Sequence, residues 1–422
     1  MRWLRALYVA NGLAIGALYG FVPVLLQAKG FDPALVGVTT SLGSLAYTIV
    51  LPVWGHIGDE VAGPRRTLQI SCVPAAVVAF GYGLPLPLLL MILCQVVLSI
   101  ASGPAMALTD AMVVPTLRDP NKEYTRLRWL TSLGAALGGA GGGVVYELFG
   151  YAVAPIAYLL IIALALVSIH FVKLGMAPPH RHAPLPSTDP IDAALPDAVV
   201  PSQATSVGRG GSVGEALRLQ PRLYGILASV ILVFIGIMSA GTYITLRVSD
   251  LGGGALGVGL SNGIGWAAEI FGMMAVGGLI ARFGARRVAV TCAVLFAACI
   301  ASWAVLTDLI LITVIKFLTG VIFAGLFVSF VLTIAAILPA RLQSTGQTLF
   351  QAACFGFAAV VANFVGGLLY QQFGAFGVFG GGAVCTFLGA LLGLVVMPSE
   401  RELAEELAGQ MLAAAPASVS IA

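Results

Sequence analysis

The segment GGVVYELFG, residues 142–150, returns 224 positions later as GGLLYQQFG, residues 366–374. A second pair occurs in the same chain order: GVTTSLG at 37–43 matches GVGLSNG at 257–263, at an offset of 220. Two matches in sequence order, at nearly one offset, indicate an internal duplication. The repeat therefore predicts two structurally equivalent halves that together account for most of the 422 residues.

The composition places both halves in a lipid bilayer. Hydrophobic residues make up 59% of the chain, charged residues make up 9%, and the mean hydropathy is +1.00. Soluble domains carry about 25% charged residues, so a water-soluble protein is excluded. The net charge of +3 and the lack of a basic stripe argue against a nucleic-acid partner. We expect no cofactor or metal, because the cysteines and histidines form no ligand pattern. We also expect the protein to be a monomer.

Twelve segments have the length of about 20 apolar residues that crosses a bilayer. They are 4–26, 33–56, 67–86, 88–114, 124–147, 151–173, 223–246, 255–281, 288–306, 309–338, 345–370 and 374–396. The sequence thus predicts an all-α membrane protein with twelve transmembrane helices in two pseudo-symmetric six-helix halves. Its parts are an N-terminal half (1–177), a flexible cytoplasmic linker rich in Pro, Ser, Asp and Gly (178–221), a C-terminal half (222–397) and a cytoplasmic tail (398–422).

The positions of lysine and arginine orient the chain. With the amino terminus in the cytoplasm, Lys29 and Arg247 lie on the outer side, and Arg128 and Lys316 lie within the membrane. The other seventeen of the 21 lysines and arginines then face the cytoplasm. This bias predicts a multi-pass protein of the bacterial inner membrane (the plasma membrane) with both termini and the linker in the cytoplasm.

Four charged residues fall inside predicted spans: Asp110, Arg128, Glu269 and Lys316. A charge at the bilayer centre costs about 2.5–3.5 kcal/mol on insertion scales, so such residues usually have partners and face an internal path. Two acids and two bases balance to zero. They predict a polar cavity through the bundle, and therefore transport.

Two loops at equivalent places in the halves share a pattern. GHIGDEVAGPRR (55–66) follows span 2, and GGLIARFGARR (277–287) follows span 8. Both resemble the GxxxD(R/K)xGRR loop of the major facilitator superfamily. The resemblance implies that these loops act in conformational switching, and the residues that carry it are Gly55, Asp59, Arg65, Arg66, Gly278, Arg282, Arg286 and Arg287.

Residues within the spans resemble one branch of that superfamily across nearly the whole chain. YTRLRW (124–129) after Asp110, the pair Ala268-Glu269, and STGQ (344–347) are similar to patterns of 3-phenylpropionate transporters, nucleoside:proton symporters and, more distantly, lactose permease. The resemblance implies alternating access, with substrate contacts from the acid of span 4 and the arginine of span 5. These residues are eighteen positions apart here, as in lactose permease. Thr131 and Lys316 depart from the pattern, so the substrate class stays open.

The residues themselves suggest a role for each charge. Asp110 and Arg128 lie at equal depth on adjoining helices, so they either lock the two helices together or line the cavity as substrate contacts. Glu269 lies near the midplane, where a carboxyl group can hold a proton and release it when hydrated. It is the predicted proton-coupling residue, with Asp110 as the next candidate.

Lys316, about 12 Å below the outer surface, either extends outward to water or pairs with Glu269 or with substrate. Asn262 and Asn363 complete the predicted substrate contacts.

The favoured prediction is a proton-coupled symporter that takes up a small polar or aromatic metabolite by alternating access, with the proton as coupling ion. A proton-coupled efflux antiporter for a drug or metabolite is the alternative, because the glycine-rich fifth span resembles that of drug:proton antiporters, although the proline of their motif is absent between Trp129 and Phe149. A non-transporting membrane sensor fits less well, since the linker is too sparse to form a sizeable soluble domain. An enzyme is not expected, because no nucleophile–base pattern or phosphate-binding loop is present.

Overall fold

The computed structural model describes residues 2–113, 120–172, 213–399 and 401–402. These residues form α-helices joined by short turns, with no strand among them. The helices are α1 Arg2–Ala17, α2 Val22–Ala28, α3 Pro33–His56, α4 Gly63–Ala79, α5 Leu88–Ser102, α6 Ala105–Val113, α7 Pro120–Phe149, α8 Ala154–Phe171, α9 Val213–Leu219, α10 Arg222–Asp250, α11 Gly254–Phe283, α12 Ala285–Val305, α13 Leu309–Ile337, α14 Ala340–Gln351 and α15 Ala358–Val396.

The helices agree with the predicted spans. In the described part of the chain, nine helical segments are long and apolar enough to cross a membrane, and one of them, Thr345–Val396, is 52 residues long. That segment is broken at Gly374, whose φ of 62° is left-handed, so it contains two spans. Together with α4 and α7, the segments are consistent with the predicted twelve. The protein is an all-α membrane protein.

Several helix ends follow directly from the sequence. Asp32 begins α3: its carboxylate accepts a hydrogen bond from the Leu35 N–H at 2.7 Å, and Pro33 occupies the first helical position. Asp308 begins α13 in the same way, accepting from the Ile310 N–H at 2.8 Å. The first span is less regular than predicted, because a 3₁₀ turn at Tyr19–Phe21 separates α1 from α2.

The segment before α10 differs in part from the predicted flexible linker. Its last residues form α9, in which Ala216 is fully buried. Residues 173–212 lie outside the described part of the chain, so the linker there remains a prediction. At the start of the tail, the Ser399 N–H donates to the Glu402 carboxylate at 2.8 Å, as a capping box requires. This bond, together with Arg222, lowers the pKa of Glu402 below its ordinary value.

The repeated sequences occupy equivalent places in the two halves. Tyr146 in α7 donates to the Ala17 carbonyl of α1 at 2.6 Å. Tyr370, its counterpart in α15, donates at 2.5 Å to Asp250 at the end of α10. Each repeat thus packs against the first spanning helix of its own half, α1 or α10. The two copies of the repeated sequence therefore make equivalent packing contacts in the two halves.

The two halves meet at one end of the bundle. We call the end that carries Arg2, His56 and Val396 the base, and the end that carries Ala28 and Asp250 the crown. Between the halves, α3 packs on α15 and α7 packs on α11. Gly37 and Gly367 meet so closely that a Cβ on Gly37 would lie 2.9 Å from the Gly367 Cα.

Hydrogen bonds join the halves at the crown. Gln27 donates to Asp250 at 2.9 Å, the Leu256 N–H donates to Glu147 at 3.1 Å, and the Ala34 N–H donates to Gln371 at 3.2 Å. The crown is therefore sealed by direct contact between the halves.

Candidate functional site

A cavity of about 760 Å³ lies between the two halves. Its lining runs from Thr242 and Asn262, in the crown half of α10 and α11, to Ile169, two residues before the base end of α8. The crown seal closes one side of this space. A cavity that is closed at one end and lies between two related halves is the arrangement expected of an alternating-access site.

Glu269 lies in the wall of this cavity, on α11. The described residues provide no hydrogen bond and no ion pair to its carboxyl group. The Arg128 guanidinium is near enough to interact with it electrostatically. A carboxyl group in this position can exchange a proton with water in the cavity, which the predicted coupling role requires.

Lys316 also lines the cavity, from α13. Its ammonium lies over the Trp303 ring, 5.7 Å from the ring centroid. A Cβ added to Gly265 would lie 3.2 Å from the Lys316 Cε, so the glycine leaves room for the lysine side chain along α11. The side chain therefore turns into the cavity and does not extend outward to water. In this conformation no described carboxylate, Glu269 included, lies within ion-pair distance of it.

The structure brings Asp110 and Arg128 together, with Asp110 Oδ2 3.3 Å from Arg128 Nη1. Asp110 is only 1% exposed, and its other oxygen accepts a hydrogen bond from the Tyr8 hydroxyl at 2.6 Å. Neither charged residue is among those that line the cavity in this conformation. Asp110 lies just behind the wall, since Asn11 in the lining donates at 2.9 Å to its neighbour Thr109, whereas the Arg128 side chain is 45% exposed. The predicted contact of the pair with substrate stays a prediction.

The two predicted asparagines are divided between the cavity and the interface. Asn262 lines the cavity and donates to the Gly20 carbonyl at 3.0 Å, across the interface between the halves. Asn363 lies outside the lining, where its amide accepts from Thr242 at 2.7 Å and donates to Ser44 at 3.4 Å. Asn363 therefore bridges α10 and α3. Its partners Thr242 and Ser44 face the cavity, whereas Asn363 itself does not.

Sequence reasoning missed the aromatic part of the lining. Trp266, Trp303, Phe296, Phe323 and Phe355 all line the C-terminal half of the cavity. A signal for Trp266 was present, because it lies three residues before Glu269 and so shares its helix face. Trp303 gave no such signal, since no charged residue lies three or four positions from it in α12.

The two predicted switch loops have matching geometry. Each turns at a glycine with positive φ, Gly63 at 76° and Gly284 at 81°, two residues before the first arginine of its pair. Arg65 donates to the His170 carbonyl near the end of α8, and Arg286 donates to the Leu394 carbonyl near the end of α15. A cation at a helix carboxyl end is favourable.

Less can be said of the other predicted switch residues. A Cβ on Gly55 or Gly278 would meet no atom within 4 Å, so neither glycine is needed for close packing here. The side chain of Asp59 lies outside the described part of the structure. Arg66 and Arg287 lie in the first turns of α4 and α12, and Arg282, near the end of α11, lies over the Phe283 ring at 5.2 Å. A switching role for these loops stays a prediction.

Comparisons with known proteins agree with this architecture. Residues 2–380 match the model of the MFS_1 like family. The maltose permease of Geobacillus stearothermophilus is 26% identical over 395 residues, covering 93% of each chain. The crystal structure of a point mutant of the nucleoside transporter NupG has a TM-score of 0.71 at 14% identity, covering 96% of this chain and 98% of that one.

A second NupG structure, without that mutation, has a TM-score of 0.69 at 15% identity, covering 94% of this chain and 97% of that one. At these identities the structures support the fold, and the match to the family model covers most of the sequence. The duplicated helices, the cavity between the halves and the family match lead to one conclusion: the chain belongs to the MFS_1 like family and is a membrane transporter of the major facilitator type.

Proposed function

We propose that this transporter is a proton-coupled symporter that takes up a small polar or aromatic metabolite by alternating access, with its termini in the cytoplasm of a bacterial cell. The observation that carries the proposal is Glu269, an acid in the cavity wall with no hydrogen bond or ion pair to its carboxyl group among the described residues. Such a carboxyl group is free to bind and release a proton as the cavity opens to either side.

The relatives support a polar cargo. One sequence relative is a maltose permease, and two structural neighbours are structures of a nucleoside transporter. The lining also suits such a cargo, because it combines Gln95, Asn11, Ser99 and Thr40 with aromatic rings. With the termini in the cytoplasm, the sealed crown makes this conformation the one that faces the cytoplasm.

The efflux alternative rested on the glycines of the fifth span. In the structure these glycines serve close packing: Gly138 lies against Leu13 of α1, and Gly143 lies against Ala255 and Gly259 of α11. They therefore give no specific support to export. Uptake into right-side-out versus inverted vesicles under an imposed proton gradient distinguishes the two directions.

The coupling role is tested with Glu269→Gln, which fixes the neutral state. A substrate is first identified by thermal shift against sugars, nucleosides and aromatic acids, since a ligand at 100 times its Kd adds about 2.7 kcal/mol of stability. In proteoliposomes the variant should lose accumulation driven by a pH gradient and keep counterflow without a gradient.

The matched control is Glu402→Gln, an acid at the start of the tail that lies outside the cavity and both switch loops, and whose capping role glutamine can keep. It should accumulate substrate as the unmodified protein does. Accumulation against a gradient by Glu269→Gln would move the coupling site elsewhere, with Asp110 the next candidate.

A further inference from the structure

The charged groups of the two halves differ in whether they have a hydrogen-bond or ion-pair partner. In the N-terminal half, Asp110 is bonded to Tyr8 and Arg128, and Gln95 binds Tyr82 and Ser99. In the C-terminal half, Lys316 and Glu269 are the charged residues of the described lining. Neither side chain has a hydrogen bond or an ion pair among the described residues. The unmatched charges of the cavity are therefore on one wall.

Lys316 is held in place in a way that leaves its charge facing the cavity. Gly265 makes room for its methylene chain, and a Cβ on Gly320, one turn further along α13, would lie 2.9 Å from the Ala268 Cβ of α11. The two helices are thus in close contact, and the lysine side chain runs between them. The Trp303 ring beneath the ammonium is only 1% exposed. A ring face attracts a cation but cannot neutralise it.

A charge inside a membrane protein is normally matched by an opposite charge. Glu269 does not match Lys316 in this conformation, and if Glu269 carries the coupling proton it is neutral when the substrate is bound. The remaining source of negative charge is the cargo. Resting on the proposed function, we propose that Lys316, above Trp303, forms an anion subsite in the cavity, and that the transported molecule is a monoanion such as a carboxylate.

The charge of the whole site supports this assignment. With Glu269 protonated and a monoanion on Lys316, the charges in the cavity sum to zero. With the cavity empty and Glu269 ionised, they again sum to zero. A neutral cargo would leave one positive charge on the loaded protein, and that charge would have to cross the membrane field. A monoanion is the cargo that leaves both forms of the transporter uncharged.

The test measures binding to purified full-length protein at pH 7 with probes that differ in charge on the same skeleton. Three series are used: benzoate, benzamide and benzylamine; butyrate, butyramide and butylamine; gluconate, gluconamide and glucamine. Thermal shifts are recorded for the unmodified protein, Lys316→Gln, Lys316→Arg and Lys29→Gln. Lys29 is a matched control, because it lies at the crown and donates to the Leu84 carbonyl at 3.0 Å, outside the cavity.

In at least one series the carboxylate should stabilise the unmodified protein more than its amide and its amine. Lys316→Gln should weaken that carboxylate about tenfold, whereas Lys316→Arg and Lys29→Gln should retain it. Any other ranking in the unmodified protein, including no shift from any carboxylate, overturns the proposal, and so does equal binding by Lys316→Gln. If Lys316→Gln does not fold, the ranking in the unmodified protein decides. The measurement uses no proton gradient, so its failure is distinct from failure of the proposed symport.

Discussion

Replacing Gly259 with alanine should weaken the crown seal between α7 and α11. A Cβ at this position would clash most closely with the Gly139 carbonyl oxygen, and it would lie 2.6 Å from the Gly143 Cα and 2.9 Å from the Gly143 nitrogen. Ordinary van der Waals contact begins at 3.4 Å, so the two helices must part by about 1 Å. All three clashing atoms belong to backbone, which cannot turn aside as a side chain can.

The size of the effect follows from the clash alone. Overpacking of a close contact costs about 1–3 kcal/mol. Replacing glycine by alanine inside a helix returns about 1 kcal/mol, but α11 is a helix in both conformations, so this gain cancels. The clash falls on the sealed conformation alone, because it disappears once the halves separate at the crown. The ratio of crown-open to sealed protein should therefore rise by about 5- to 150-fold.

Pulsed electron paramagnetic resonance measures this shift directly. Spin labels at Ala152 and Thr307, which are exposed at the crown in the N- and C-terminal halves, report the separation of the two halves. Gly259→Ala should add a longer component to the distance distribution. Gly141→Ala, in α7, is the control, because a Cβ there meets no atom within 4 Å. If folded Gly259→Ala and Gly141→Ala give the same distribution, the α7–α11 contact does not control the crown.

Two further predictions concern the buried hydrogen bond between Tyr8 and Asp110 and the orientation of the chain in the membrane. Tyr8→Phe removes the hydroxyl that donates to Asp110 and should lower the free energy of unfolding by about 1–3 kcal/mol, measured by thermal or chemical denaturation in detergent. The control Tyr224→Phe, at a side chain that is 60% exposed, should change the free energy of unfolding little, and equal effects of the two variants would refute the importance of the buried bond. Single cysteines at Ser187 and Ser212 in a cysteine-free background should resist an impermeant thiol reagent in intact cells, and labelling of both from outside would reverse the proposed orientation.

The sequence was sufficient to predict the fold because its signals are long and repeated. Apolar segments of spanning length, the duplicated GGVVYELFG pattern and the two arginine loops all point to one architecture. Irregular backbone was harder to predict. Pro23 lacks the N–H that would bond to the Tyr19 carbonyl, which favours the 3₁₀ turn at Tyr19–Phe21, but Pro52 and Pro74 lie inside helices without ending them. The turn is also accompanied by a tertiary hydrogen bond to the Gly20 carbonyl from Asn262, 242 residues away in sequence.

The site was predicted in part for a similar reason. A charge inside an apolar segment is visible in the sequence, so Asp110, Arg128, Glu269 and Lys316 could all be singled out. Whether each charge faces the cavity depends on helix rotation and on neighbours such as Gly265. The sequence left two directions open for Lys316, and only the packing of α13 on α11 decides between them.

The connections at the crown are short. No more than four residues separate α2 from α3, α7 from α8, α10 from α11, or α12 from α13, and the last two spans are joined through Gly374 alone. The longest connection, between α4 and α5, has eight residues, of which Phe80–Gly83 form a 3₁₀ helix. Chains this short cannot fold over the cavity as a flap. The barrier to the far side of the membrane is therefore made of the helix ends themselves, about two turns thick. To open such a barrier, the two six-helix halves must tilt apart as units, so a ligand is released to that side only when the whole molecule changes shape.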